Sequence, residues 1–285
     1  NELMVMFKSS PYGSVSHSHA DQNSFAIMKG GKALAIPAGQ RFPQHGSPFH
    51  EQYTQQTLAH NALLINGQGQ RNRDDAASGR LVAFRWLPHI AYVAGDAHQC
   101  YAEELDKGRR HMILVRPSLL IVVDEVDAKR SVDLAWLMHT KEESTLRTSS
   151  QAFLAKRENY RMAVHLESSA GPLQVSQTDQ WPIPPKKGYP MVQAADPPRQ
   201  WHLQASTTEA SAQHCLVAVM MIGDQDQMPT YEVSRLKSGL KILANLEEGR
   251  AHAEIRWHKH RPGNERLVDV TFETKAGETQ RLTVP

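Results

Sequence analysis

Residues 119–127, LLIVVDEVD, read as the clearest buried strand in the chain: a strand-length run of branched aliphatics, with the turn signal Arg116-Pro117-Ser118 just ahead of it. Working outward, DLAWLMH (133–139) follows as another strand, and residues 81–86, 90–94 and 111–115 precede it. Nearer the start, LMVMFK (3–8) is a short apolar run, and SFAIM (24–28) and ALAI (33–36) flank Gly30-Gly31 as a glycine-turn hairpin. ALLIN (62–66) runs into a second turn at Asn66-Gly67. Beyond Lys141 the strand candidates continue at 152–155, 161–166, 215–222, 240–246, 251–257, 267–273 and 280–284. Residues 180–198 hold six prolines and read as a long surface loop. No segment keeps helical periodicity over ten residues. The expectation is all-β: one large antiparallel β-sandwich domain over residues 1–285.

Composition sets wide bounds. The 285 residues are 40% hydrophobic and 22% charged, ordinary for a globular domain with a real core. A net charge of +2 gives no argument for nucleic acid and does not oppose an anionic sugar. No apolar run approaches a membrane span. Cys100 and Cys215 lie far apart, and two buried thiols are preferred over a single bridge. The chain opens at Asn1 without a leader, as expected of a processed form or of a fragment cut at a domain boundary.

The chemistry concentrates in residues 12–25, YGSVSHSHADQNSF. His17, His19, Asp21 and Asn23 share one parity, so an extended segment projects all four from one face. Imidazoles titrate near neutral pH, which points to a site, although a polar turn between strands produces the same string. For metal, His17-x-His19 with His60 from a neighbouring strand supplies zinc-type ligands, and Asp21 is the near carboxylate. A cupin expects a glutamate a few residues after its HxH, and none follows here. For acid–base work, Tyr12, His17 and Tyr53 qualify by type, set against rim packing for the tyrosines. No nucleophile-elbow glycines surround Ser16 or Ser18. Trp201-His202, Trp257-His258 and the pair Trp86/His89 set aromatics beside polar groups, as sugar-binding surfaces do. Asp124, Glu125 and Asp127 are expected to cap a strand end.

These pieces together resemble the heparinase II/III-like domain of polysaccharide lyases. The resemblance rests on SHSHADQNSFAI (16–27), its glycine turn, and the strand ending in Pro37-x-Gly39. HNALLINGQGQ (60–70), Tyr101 with Arg109-Arg110, VRPSLLIVVDEV (115–126) and AWLMHT (135–140) extend it, so that it covers roughly residues 3 to 145. SSPYGSVSHSHADQNSFAI (9–27) is most similar to the exo-type oligoalginate lyase branch, with heparin and heparan lyases as more distant relatives.

The resemblance implies β-elimination on uronate-containing glycans, in a cleft between an N-terminal α/α toroid and a C-terminal β-sandwich. Carried over, the catalytic sandwich histidine is His17, and Tyr12, Arg41, His45, His50 and Gln68 are expected at the substrate edge. His19 and His60 match positions that bind a structural zinc in some members, and the aspartate of that site is replaced here by Ile36. No other cofactor is implied. The implied partners are an acidic poly- or oligosaccharide and the toroid, without which this chain should be inactive. A polyuronate degrader is expected in the periplasm or outside the cell, and an oligouronate enzyme is also compatible with the cytoplasm. The readings held against this one are a non-catalytic carbohydrate-binding sandwich and a cupin-type metal enzyme.

Overall fold

The computed structural model describes residues 2–11, 15, 17–39, 44–101, 104–147, 149, 151–186, 198–257 and 266–285. Strands are numbered in chain order. Eight of them form the central sheet: β5 (Arg80–Trp86), β6 (Ile90–Asp96), β7 (Leu105–Val115), β8 (Leu119–Val132), β10 (Thr145–Arg147), β11 (Ala152–Arg157), β12 (Tyr160–Ser168) and β15 (Ser211–Asp224). Their spatial order is β10-β11-β12-β15-β8-β7-β6-β5, antiparallel throughout.

Residues along β8 explain the architecture. Leu119, Ile121 and Val123 face one core, while Leu120, Val122 and Val126 face another. In β15, Cys215, Val217, Val219 and Met221 join the first core, and Leu216, Ala218, Met220 and Ile222 the second. Antiparallel strands normally alternate apolar and polar residues because one face meets water. These two do not alternate because both of their faces are covered.

On one side lies a five-stranded meander of β16 (Thr230–Leu236), β17 (Gly239–Leu246), β18 (Gly249–Arg256), β19 (Val268–Thr274) and β20 (Thr279–Val284). It contributes Leu240, Ile242, Ile255 and Phe272. On the other side lie two smaller sheets. One is β13 (Leu173–Thr178), β14 (Trp201–Thr207), β9 (Leu134–Thr140) and β4 (Leu63–Ile65), in that order. The other is β1 (Leu3–Lys8), β2 (Ser24–Lys29) and β3 (Lys32–Ala35). They fill the second core with Phe25, Ile27, Trp136 and Met138. The expected sandwich is thus two sandwiches sharing one sheet.

Several expectations change in detail. Asp124 and Glu125 cap nothing: they lie buried within β8, which runs on to Val132. Trp257 is core, Trp86 stands exposed on β5 with the Arg116 guanidinium 4.0 Å from its ring centroid, and His258 lies outside the described residues. Both cysteines are buried, and burial pushes the Cys100 thiol up to about 12. Among the described residues, no helix is long and apolar enough to cross a membrane.

Because β8 serves two cores, truncating either face opens a cavity. Leu120→Ala and Ile121→Ala are each expected to cost about 2–5 kcal/mol in urea unfolding. A loss confined to one of them contradicts a sheet covered on both sides.

Candidate functional site

Among the described residues, the segment leading into β2 holds no strand. Its described part is an irregular run with a turn at Gln22-Asn23, where Asn23 adopts a left-handed backbone with φ of 59°. The expected common face therefore dissolves. His17 is exposed, His19 and Asp21 are half-buried, and Asn23 is buried.

Three groups of hydrogen bonds pin this loop to the sheets. The Ala20 N–H donates to the Gln55 carbonyl at 2.9 Å, and the Thr57 hydroxyl donates to the Ala20 carbonyl at 2.7 Å. The Gln22 N–H donates to Gln70 Oε1 at 2.8 Å, and Gln70 Nε2 returns a bond to the Gln22 carbonyl at 2.8 Å. Asn23 Nδ2 donates to the carbonyls of Gly95 and Gly108, at 3.0 and 3.2 Å.

Beneath these lies Arg110, 1% exposed, whose Nε and Nη2 donate to the two oxygens of Asp124 at 2.7 and 2.9 Å. Its Nη1 donates to the carbonyls of Asn23 and Asn61, at 2.8 and 2.6 Å. Asn61 in turn donates from Nδ2 to the Phe25 carbonyl at 2.7 Å and accepts the His139 N–H at 2.8 Å. None of Asn61, Gln70, Arg110 and Asp124 was singled out from the sequence as a site residue. The signal was present: each lies inside a string that carries the family resemblance.

His17 and His19 part company. The His17 ring lies 6.2 Å from that of His45, which lies 4.9 Å from that of His50. His45 is exposed like His17, but His50 is buried at 3% and supports rather than lines the edge. His50 Nδ1 accepts the Gly46 N–H at 3.1 Å, and its own N–H donates to Ser47 Oγ at 3.2 Å. Gln68 is exposed on the turn after β4, and Gln70, two residues on, is the one that reaches the motif. Tyr12 and Arg41 lie outside the described residues.

His19 turns inward. Its Nδ1 is 3.2 Å from His60 Nε2, beside a cleft of about 320 Å³ lined by Lys8, Asp21, Phe25, Pro37 and Asn61 among others. Two ligands of one tetrahedral zinc ion sit ~3.3 Å apart, so the nitrogen spacing suits a metal. The remaining groups do not fit one. A carbonyl only accepts, so the 3.1 Å contact of His60 Nε2 with the Thr54 carbonyl assigns that nitrogen a proton. Asp21 ion-pairs with Lys8 and lies 3.9 Å from the other nitrogen of His60. Ile36, buried and apolar, replaces the expected anionic ligand. Among the described residues, no group of three or more His, Cys, Asp or Glu side chains could hold a metal.

Behind His60 lies a second histidine cluster. His139 Nδ1 is 3.0 Å from His202 Nδ1, which is 3.2 Å from the Tyr53 hydroxyl, with the Trp181 ring packed against Tyr53 and His202. Tyr53, a candidate acid–base group by type, is 1% exposed, and burial drives its phenol above the ordinary range. It packs inside, with its hydroxyl turned to His202. Burial holds His60 and His202 down at about 4 and His139 well below its ordinary value.

A model of the family "Heparinase II/III-like, C-terminal" matches residues 1–257. No curated protein matches the chain. Among solved structures, the chain is similar to the heparinase III BT4657 gene product, at 15% identity and a TM-score of 0.67 over 98% of this chain and 38% of that one. It is also similar to the heparan sulfate lyase HepC from Pedobacter heparinus, at 13% identity and a TM-score of 0.65 over 99% of this chain and 39% of that one. A further heparinase III matches at 18% identity with a TM-score of 0.61, covering 98% of this chain and 37% of that one. The likeness is one of fold, and the chain spans under two fifths of each of these proteins.

Removing one partner of a buried ion pair strands the other charge. Arg110→Ala is expected to lower unfolding stability by about 3–5 kcal/mol, and the double change Arg110→Leu/Asp124→Leu by less. A double variant less stable than the single one contradicts this.

The depressed histidines set a pH dependence. An unfolded imidazole titrates near 6.5, so between 6.5 and about 4 the unfolded chain binds protons that folded His60 and His202 refuse. Their stability contribution is therefore full above pH 6.5 and lost as pH falls toward 4. Urea midpoints should drop over that window, and less steeply in His202→Gln. A slope in His202→Gln and His60→Gln as steep as that of the unaltered chain contradicts the assignment.

Proposed function

We propose, because this chain belongs to the heparinase II/III-like C-terminal family, that it is the C-terminal portion of a polysaccharide lyase. In this reading it lends His17 to a cleft shared with a preceding α/α-toroid domain. The observation that carries the proposal is an exposed imidazole on a loop whose backbone is bolted to a rigid core. Catalytic groups need that combination: access to substrate, with positions set by the scaffold.

The reaction is β-elimination on a uronate. A base removes the C5 proton, the uronate carboxylate is neutralised as charge builds on it, and an acid protonates the departing glycosidic oxygen. An imidazole can accept or donate a proton, and His17 takes one of these roles or helps neutralise the carboxylate. His45, 6.2 Å away ring to ring, adds a second imidazole at the same edge. The groups that complete the chemistry are assigned to the toroid. No step of this reading is routed through a metal.

Two substrate classes fall within this reading. The wording of residues 9–27 favours alginate-type oligouronates. Heparan sulfate fits no less well, since one similar structure is named as a heparan sulfate lyase. A periplasmic or secreted location suits a polymer substrate.

The test uses the full-length enzyme with oligoalginate and heparan sulfate fragments assayed side by side by ultraviolet absorbance of the new double bond. His17→Ala is expected to lower product formation at least about a hundredfold while leaving the unfolding midpoint unchanged, since His17 packs in no core. Wild-type turnover in that variant removes His17 from the mechanism.

A further inference from the structure

Residues 44–47 form a turn that carries His45. The Ser47 N–H donates to the Gln44 carbonyl at 2.9 Å, and Gly46 takes φ of +78°, the left-handed value that a type II turn requires at its third residue. Both ends of the turn are locked. Gln44 is 4% exposed and Ser47 1%. Gln44 Oε1 accepts from the Ser47 hydroxyl at 3.1 Å and from the Lys186 N–H at 3.0 Å, and Gln44 Nε2 donates to the Lys186 carbonyl at 2.9 Å. The Gly46 N–H donates to the buried ring of His50, which lies 4.9 Å from that of His45. Phe49, two residues past the turn, is buried against the Trp181 ring at 5.2 Å. On this clamped turn the His45 ring stands exposed.

The ring has no acid of its own. His89, His98, His165 and His252, all partly or well exposed, lie 3.1, 2.7, 3.1 and 3.6 Å from Glu248, Asp96, Glu167 and Glu254. Among the described residues, His45 has no such carboxylate: its ring neighbours are the imidazoles of His17 and His50. Adjacent imidazoles disfavour each other's protonated form, and an anion set between them removes that penalty. The rings of His17 and His45 lie 6.2 Å apart and tilted by 55°. That gap admits one carboxylate, with a ring nitrogen on either side bonding an oxygen at ~2.8 Å.

We propose that His45 donates a hydrogen bond to the carboxylate of the uronate that loses its C5 proton. The proposal rests on the lyase reading and gives it a carboxylate contact within this chain, which leaves proton transfer to His17 and the toroid. As elimination proceeds, the C5–H electron pair forms the C4–C5 double bond, and the C4–O pair departs with the glycosidic oxygen. Negative charge builds on the carboxylate meanwhile, and the His45 proton stays on nitrogen throughout. A donor aimed at that charge holds the transition state more tightly than the substrate, so His45 acts mainly on kcat.

The test gives the full-length enzyme a uronate tetrasaccharide and the methyl ester of the same sugar. His45→Ala should lower kcat on the acid about a hundredfold and on the ester less than about threefold, because the ester has no anion to neutralise. His45→Arg, a fixed cation that can bind both oxygens, should recover most of the loss on the acid. Equal losses on the two sugars, or no loss on the acid, overturn the proposal. No unsaturated product from the unaltered enzyme on either sugar counts against the lyase reading instead, and calorimetry then decides for His45. The acid should bind the unaltered enzyme about fivefold more tightly than it binds His45→Ala, and equal or absent binding overturns the contact.

Discussion

One guanidinium holds two distant parts of this chain at a single point. Arg110 donates to both oxygens of Asp124 and to the carbonyls of Asn23 and Asn61, with the Phe25 ring 5.4 Å from the guanidinium carbon. A buried charge is tolerable only when it is paired and its donors are used, and here four bonds are made. The result is directional. Two loop ends, one from the motif and one from the segment carrying His60, are fixed against the central sheet.

From that fixture the two histidines of the motif acquire opposite fates. His19 is turned toward His60 and the interior, where burial keeps imidazoles neutral. His17, two residues earlier, remains at the surface beside His45. The chain thus places a rigid, uncharged histidine layer beneath a wet one. In the proposed mechanism, proton exchange falls to the outer layer. The Trp181 anchor and the Gln44–Lys186 clamp extend the same design to the rim.

Much of the fold was legible because strands and turns leave local marks. The hairpin at Gly30-Gly31 and the run at 119–127 lie where the apolar pattern put them, since both depend on residues within one strand and its turn. The sharing of one sheet between two cores was less visible. An unbroken apolar run says that both faces are covered and does not say by what. The site was legible as a string and not as a geometry. Parity predicted one face for His17, His19, Asp21 and Asn23, but the left-handed turn at Asn23, stabilised by carbonyls more than seventy residues away, broke the extended segment. Asp124 read as a strand cap because nothing near it in sequence announces a partner on β7.

The account stands on His17 being an open imidazole that meets an acidic sugar while His60 and His139 stay inside. Histidine-resolved NMR of this chain during titration with a uronate tetrasaccharide measures that directly. The ring signals of His17 and His45 should move with added sugar, and those of His60 and His139 should not. A His17 signal that stays still while the buried ones shift would contradict the account.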